Sequence, residues 1–152
     1  MNTGFRIRPA VESDIETITS LCLEVAPFEG TGEPGGVEFY NKLFAESIPN
    51  DERLILVAES DSVIAGFVYV EVQHTPDDCT PAPYVSLDMV GVRQSHRGQG
   101  IASALMTQVE SWTHEKGMKV IQLAVAESNL SAFKLYEGLG YRTVMRKMQK
   151  EL

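Results

Sequence analysis

"HRGQGIASALM", His96 to Met106, is the stretch on which the fold turns. Gly98, Gly100 and Ala102 lack bulk at alternate positions, and an amphipathic pattern begins directly after them. Ile101, Leu105, Val109 and Trp112 recur at the spacing of one helix face, and Gly117 is placed to end that helix. Upstream, "YVSLDMVGV", Tyr84 to Val92, reads as a strand. A strand that passes through small residues into a helix N-terminus makes an anion site. The first-turn N–H groups lack partners there, and the macrodipole supplies about half a positive charge. Small residues would let a phosphate reach those groups, and Arg97 adds a positive charge at the mouth.

Working outward, "GFRIRP" (4–9) reads as a short strand. "ESDIETITSLCLEV" follows as a helix opening on a capping box from Ser13 to Glu16. "APFEGTGEPGG", Ala26 to Gly36, is a Gly/Pro-rich loop, and "VEFYNKLFAES" a second helix. "RLILVAES" and "SVIAGFVYVEVQ" form two strands joined by a tight turn around Ser60–Ser62. A loop with three prolines, "HTPDDCTPAP", leads to Tyr84. Beyond the central helix, "KVIQLAV" is a strand, "NLSAFKLYEGLG" a helix and "YRTVMRKMQ" a final strand. Strands alternating with helices predict one α/β domain on a mixed sheet.

With 152 residues, 43% of them hydrophobic, the chain can bury one substantial core. No uncharged run approaches the roughly 18 residues of a membrane span, and the charged N-terminus lacks the apolar stretch of a signal peptide. The expectation is a cytoplasmic protein without membrane partners. A net charge of −8 opposes nucleic-acid binding and suits a cationic partner. The two cysteines, Cys22 and Cys79, have no CxxC spacing or nearby His, so neither a disulfide framework nor a metal site is expected.

Three phosphate readings compete. A P-loop needs Gly-Lys-Ser/Thr, and no lysine follows these glycines. A dinucleotide fingerprint needs an acidic residue closing the next strand, and Glu127 comes late for that. The third fits better. Arg97-Gly98-Gln99-Gly100-Ile101-Ala102 resembles the Q/R-x-x-G-x-G/A pattern of the GNAT superfamily of acetyl-CoA-dependent N-acyltransferases. Val90-Gly91-Val92 resembles that family's pantetheine-pairing strand. Asn129, Ala132, Tyr136, Gly140 and Tyr141 resemble its N-x-x-A-x-x-x-Y-x-x-x-G-F/Y segment. The element order agrees over nearly the whole chain.

The resemblance implies a GNAT fold, a mixed sheet with flanking helices and a splayed strand pair that holds the coenzyme. It implies that residues 97–102 take the pyrophosphate of acetyl-CoA, that Val90, Gly91 and Val92 flank pantetheine, and that Asn129 contacts the coenzyme. It further implies direct attack of an amine on the thioester, with no metal. Tyr136 is then the general acid for the leaving thiolate, its competing role being a core aromatic on the face of Ala132 and Leu139. Asn129 also suits a helix N-cap. A backbone N–H near Val90 would meet the thioester oxygen, in a strand that Gly91 helps to distort.

The amine must also lose a proton. A lysine-like amine is only about 0.04% neutral at pH 7, a deficit of about 4.6 kcal/mol. Some relatives place a glutamate at the position of Ser86, which cannot serve. Others place a carboxylate at that of Asp88. Asp88 is thus the expected base, or else a carboxylate that holds a loop or recognises a cation; Glu71 and His74 stand in reserve. Strand alternation sets Asp88 on the face of Ser86 and Val90 unless a bulge intervenes. The expected acceptor is a cationic small-molecule amine steered by Glu29, Glu33, Asp77 and Asp78. A protein N-terminus or lysine is the alternative, as is a non-catalytic acyl-CoA-binding domain. The terminal strand leaves a homodimer open.

Overall fold

The computed structural model describes residues 4–29 and 36–152. Five strands form one sheet in the order β1-β2-β3-β4-β5: β1 (Arg6–Pro9), β2 (Arg53–Ser60), β3 (Val63–Gln73), β4 (Tyr84–Val92) and β5 (Ile121–Leu123). The first three pairings are antiparallel and β4–β5 is parallel. Parallel neighbours need a crossover, and α3 (Ile101–Glu115) supplies it. The β2–β3 turn falls where the sequence places it. Asp61 and Ser62 both have positive φ, 49° and 65°, which matches the twist of a two-residue hairpin.

Helices cover both faces, so β3 reads as a nearly unbroken apolar run rather than an alternation. On one face α1 (Ile15–Glu29) and α2 (Gly36–Ser47) bury Ile18, Leu21, Tyr40 and Phe44 against Phe67 and Tyr69. Phe44 meets both of those rings edge-on, at 6.3 and 6.1 Å, contacts worth about 0.5–1.5 kcal/mol each beyond area burial. On the other face α3 and α4 (Leu130–Gly138) bury Ile101, Leu105, Val109 and Tyr136 against Val68, Val70 and Val85. Gly66 seats α3. A Cβ there would lie 3.0 Å from Ile101 Cγ2 and from the Gly91 carbonyl, so the helix N-terminus can lie directly on the sheet.

Four local expectations need correction. Helix α1 continues to Glu29, so Ala26–Glu29 are helical where a loop is expected, and Gly36 already belongs to α2; the rest of that loop lies outside the described residues. The chain enters α1 through a 3₁₀ turn, Glu12–Asp14, instead of a Ser13–Glu16 capping box. Asp14 accepts from the Val11 N–H at 2.8 Å and is paired with Arg8, which holds its carboxyl below the usual range. Strand β5 is only three residues long within the expected Lys119–Val125 run.

The final strand, Tyr141–Gln149, is not formed. Residues 140–152 carry no regular secondary structure, and Met148 and Leu152 are fully exposed. Gly140, at φ 96°, and the bond from the Tyr141 N–H to the Tyr136 carbonyl finish α4. A strand exists only through its ladder, and among the described residues none lies beyond β5.

Candidate active site

Strand β4 carries one residue more than its partner. Tyr69 pairs with Met89 but Val70 pairs with Leu87, which leaves Asp88 as the extra residue of a β-bulge. On the other side, β4 and β5 pair only from Val85↔Ile121 to Leu87↔Leu123. The two strands part where the bulge begins, and β4 runs on to Val92 without its parallel neighbour. This is the splayed pair that the family resemblance implies. The parting coincides with the bulge at Asp88, three residues before Gly91. Gly91 is small for another reason: a Cβ there would press on Phe67 at 3.0 Å and Val25 at 3.1 Å.

From the end of β4 the chain passes through a 3₁₀ turn, Gln94–His96, to the start of α3. Gly98 and Gly100 have φ of 79° and 82°, a region that L side chains rarely adopt, and no atom lies within 4 Å of where their Cβ atoms would be. Gly100 is the N-cap with no side chain to close the helix, and its carbonyl takes the first helical bond from Ala104 at 3.0 Å. The first-turn amides of α3 have no side-chain cap at Gly100. Arg97, exposed, is tied by its Nε to the Val92 carbonyl at 3.2 Å, which fixes the guanidinium at the end of the strand. The arrangement fits a pyrophosphate. Gly100→Val should cut coenzyme A affinity at least about tenfold by calorimetry, since charge-assisted N–H contacts are worth about 1.5–3 kcal/mol. The same change should cost about 1–2 kcal/mol of stability from its backbone conformation. Unchanged affinity in the folded variant would remove the pyrophosphate from this site.

The bulge also resets which side chains share a face. Ser86, Asp88 and Met89 lie on the side of Tyr69, whereas Val90 joins Val68 on the opposite side. Alternation alone puts Asp88 with Val90; the inserted residue breaks that phase. Asp88 is half-buried and accepts a 2.6 Å hydrogen bond from Ser86 Oγ. Burial, together with the neighbouring Glu71 carboxyl, pushes Asp88 up to about 7 against the opposing hydrogen bond from Ser86. Glu71 is itself well supplied with donors. Tyr69 Oη donates to it at 3.0 Å and Gln73 Nε2 at 2.8 Å, and Arg53 Nε stands 3.6 Å away. Gln73 also reaches Ser86 Oγ at 3.2 Å. Sequence reasoning held Glu71 in reserve and missed Tyr69, Gln73 and Arg53. Their spacing at 69, 71 and 73 on one strand face is the signal that could have found them.

Tyr136 and Asn129 come together on the far wall. With Ala124, Val125 and Ala126 they line a small cavity where β5 has left β4. Tyr136 is buried, and its ring meets Tyr141 edge-on at 5.9 Å. Asn129 is the N-cap of α4: its side-chain oxygen accepts from the Ala132 N–H at 3.3 Å. Reserve residue His74 lies apart, exposed and paired with Glu52.

The family model described as "Acetyltransferase (GNAT) family" matches residues 18–141. The chain belongs to the GNAT acetyltransferase family. An aminoglycoside N(6')-acetyltransferase type 1 of Salmonella typhimurium is 26% identical over 66% of this acetyltransferase and 70% of its own length. A mycothiol acetyltransferase of Frankia casuarinae is 31% identical over 63% of the chain, which spans only 29% of that longer protein. The solved structure of aminoglycoside N-acetyltransferase AAC(6')-Iy in complex with CoA superposes with a TM-score of 0.84 at 22% identity, over 97% of this chain and 94% of that one. As a GNAT acetyltransferase, the protein takes its acetyl group from acetyl-CoA. Among the described residues no helix is long and apolar enough to cross a membrane.

Of the expected steering residues, Asp77 is already engaged. Its carboxylate caps the Cys79 and Thr80 N–H groups and accepts from Gln122 Nε2 at 2.5 Å, contacts that hold it below the usual range. It therefore pins the 74–83 loop to β5. Glu33 lies outside the described residues, as does the side chain of Glu29. Cys22 is buried beside Met89, and Cys79 is exposed in the loop.

Proposed function

We propose that this acetyltransferase transfers the acetyl group of acetyl-CoA to a cationic small-molecule amine, with Asp88 as base and Tyr136 as acid. The observation that carries the reading is a half-buried carboxyl raised to about 7, held in the bulge at which the sheet opens. A base tuned near the working pH exchanges a proton with an amine most efficiently. Acetyl-CoA supplies an activated acetyl thioester and a thiolate leaving group. The protein supplies proton management. An acceptor ammonium loses two protons in becoming an amide; the N–C bond forms and the C–S bond breaks. One proton ends on the coenzyme thiol, by way of the Tyr136 hydroxyl, and the other leaves through Asp88 to solvent. Residues 97–102 hold the pyrophosphate, and the amides of β4 near Val90 receive the thioester oxygen.

Support for a cationic acceptor comes from the net charge of −8 and from two carboxyls, Glu71 and Asp88, side by side in the site. The aminoglycoside acetyltransferases to which the chain is similar act on amines of this class by name. Release of free thiol measured across an amine panel tests the proposal. Diamines and aminoglycoside-like amines should react fastest, with kcat/KM falling as salt rises, because exposed charges are screened beyond about 8 Å at physiological ionic strength. Faster reaction of peptide N-termini would move the acceptor to protein. No thiol release with any amine would leave a coenzyme-binding domain.

A homodimer is part of the same proposal. Val144, Met145 and Met148 are exposed on a segment with no ladder, and β5 ends the sheet. Light scattering should give about twice the 16.8 kDa of one chain; a monomer at all concentrations would end this part of the reading.

A further inference from the structure

The bulge sets Asp88 on the same face as Glu71: Glu71 stands opposite Ser86, whose Oγ donates to Asp88 at 2.6 Å, and Gln73 Nε2 joins Glu71 to that same Ser86 oxygen. Two carboxyls joined on one face in this way resist joint ionisation, so the pair retains a proton. The donors around the pair are unevenly placed. Glu71 takes hydrogen bonds from Tyr69 and Gln73 and lies beside Arg53, whereas Asp88 takes one from Ser86. Asp88 is faced from β3 by Glu71, from β2 by Arg53, and from its own strand by Ser86 and Tyr84. Tyr69 is buried and reaches Asp88 only through Glu71.

We propose that Glu71 is a positioning residue for Asp88: the two carboxyls hold one proton, the donors on Glu71 keep it on Asp88, and a cationic acceptor expels it. The proposal rests on Asp88 as base and adds a means of priming it. In the resting enzyme Asp88 is protonated and idle. When an ammonium enters against the pair, its charge stabilises both carboxylates, and the Asp88 proton leaves to water. Asp88 then takes a proton from the ammonium, which restores the resting state and frees the nitrogen lone pair to form the N–C bond; the second proton goes to the thiolate as the C–S bond breaks. A neutral ligand gives no such drive, so the pair favours cations twice, in binding and in activation. The tilt of the proton depends on Tyr69 and Gln73, two side chains that need not touch the acceptor.

The test is a carbon-13 NMR titration of the Asp88 carboxyl in the full chain. In Glu71→Gln the like charge is gone, and the Asp88 midpoint should fall by at least about one pH unit. Tyr69→Phe removes a donor from Glu71 and should also lower it, because the proton then shifts toward Glu71. The pH profile of kcat/KM should move with the midpoint in each variant. A residue that merely supports the strand would alter stability and leave the midpoint unmoved, and that result in both variants overturns the proposal. Its failure is distinct from failure of the underlying reading. If Asp88→Asn keeps full activity, the base assignment falls even where the coupling to Glu71 is present.

Discussion

Asp88→Asn should lower kcat/KM by about a hundred- to ten-thousandfold, the range that positioned proton transfer contributes. The amide still offers an oxygen to Ser86 Oγ, so packing in the bulge is retained. The wild-type profile should carry an acid limb. A base works only when deprotonated, and burial raises Asp88 from 3.8 to about 7, so activity should climb as pH rises through about 7. The asparagine variant should lose that limb. Stability should move the opposite way. A carboxyl raised in the folded state favours folding while protonated, and that contribution is lost as pH rises from the unfolded value toward about 7. The wild type should therefore melt progressively lower between pH 4 and pH 8, and the variant less so. An active variant with an intact acid limb would take Asp88 out of the mechanism.

Tyr136→Phe should reduce kcat by roughly ten- to a thousandfold and leave acetyl-CoA affinity nearly unchanged. The ring is buried between α4 and the sheet core and meets Tyr141, and phenylalanine preserves that packing. The hydroxyl has a reference pKa of about 10, near enough to the roughly 8.5 of a thiol for the proton to move usefully. Steady-state kinetics on the best amine of the panel, beside calorimetry with coenzyme A, separates the two roles. Full activity would return Tyr136 to the core as an ordinary aromatic.

The helix after the small residues was legible because its period, its open N-cap at Gly100 and its stop at Gly117 are local signals. The β2–β3 hairpin was legible for the same reason, although no Asn-Gly marks its turn. What escaped was long-range. Whether Tyr141–Gln149 forms a strand depends on a partner edge, and propensity carries no information about that. The phase of β4 beyond Leu87 depends on its register with β3, so the face of Val90 could not be read from alternation. Asp88 was named through the family resemblance, by its position ahead of Arg97, but its environment could not be read. The Tyr69, Glu71 and Gln73 row acquires meaning only when β3 lies beside β4. Asp77 misled in the opposite sense: it reads as loose surface charge and turns out to organise its own loop.

The bulge gives the chain an unusual genetic fragility. Because one inserted residue separates Leu87↔Val70 from Met89↔Tyr69, loss of the single codon for Asp88 would restore an unbroken ladder. The hydrophobic faces on either side would still match, so the chain could fold into a flatter sheet with both cores intact. It would lose the proposed base and the irregularity at which β4 and β5 part. Most one-residue deletions inside a central strand ruin a protein by turning its side chains inside out. Here the deletion would mend the sheet and, on the proposed mechanism, remove the base, so a lineage could pass from catalyst to inert fold in one step.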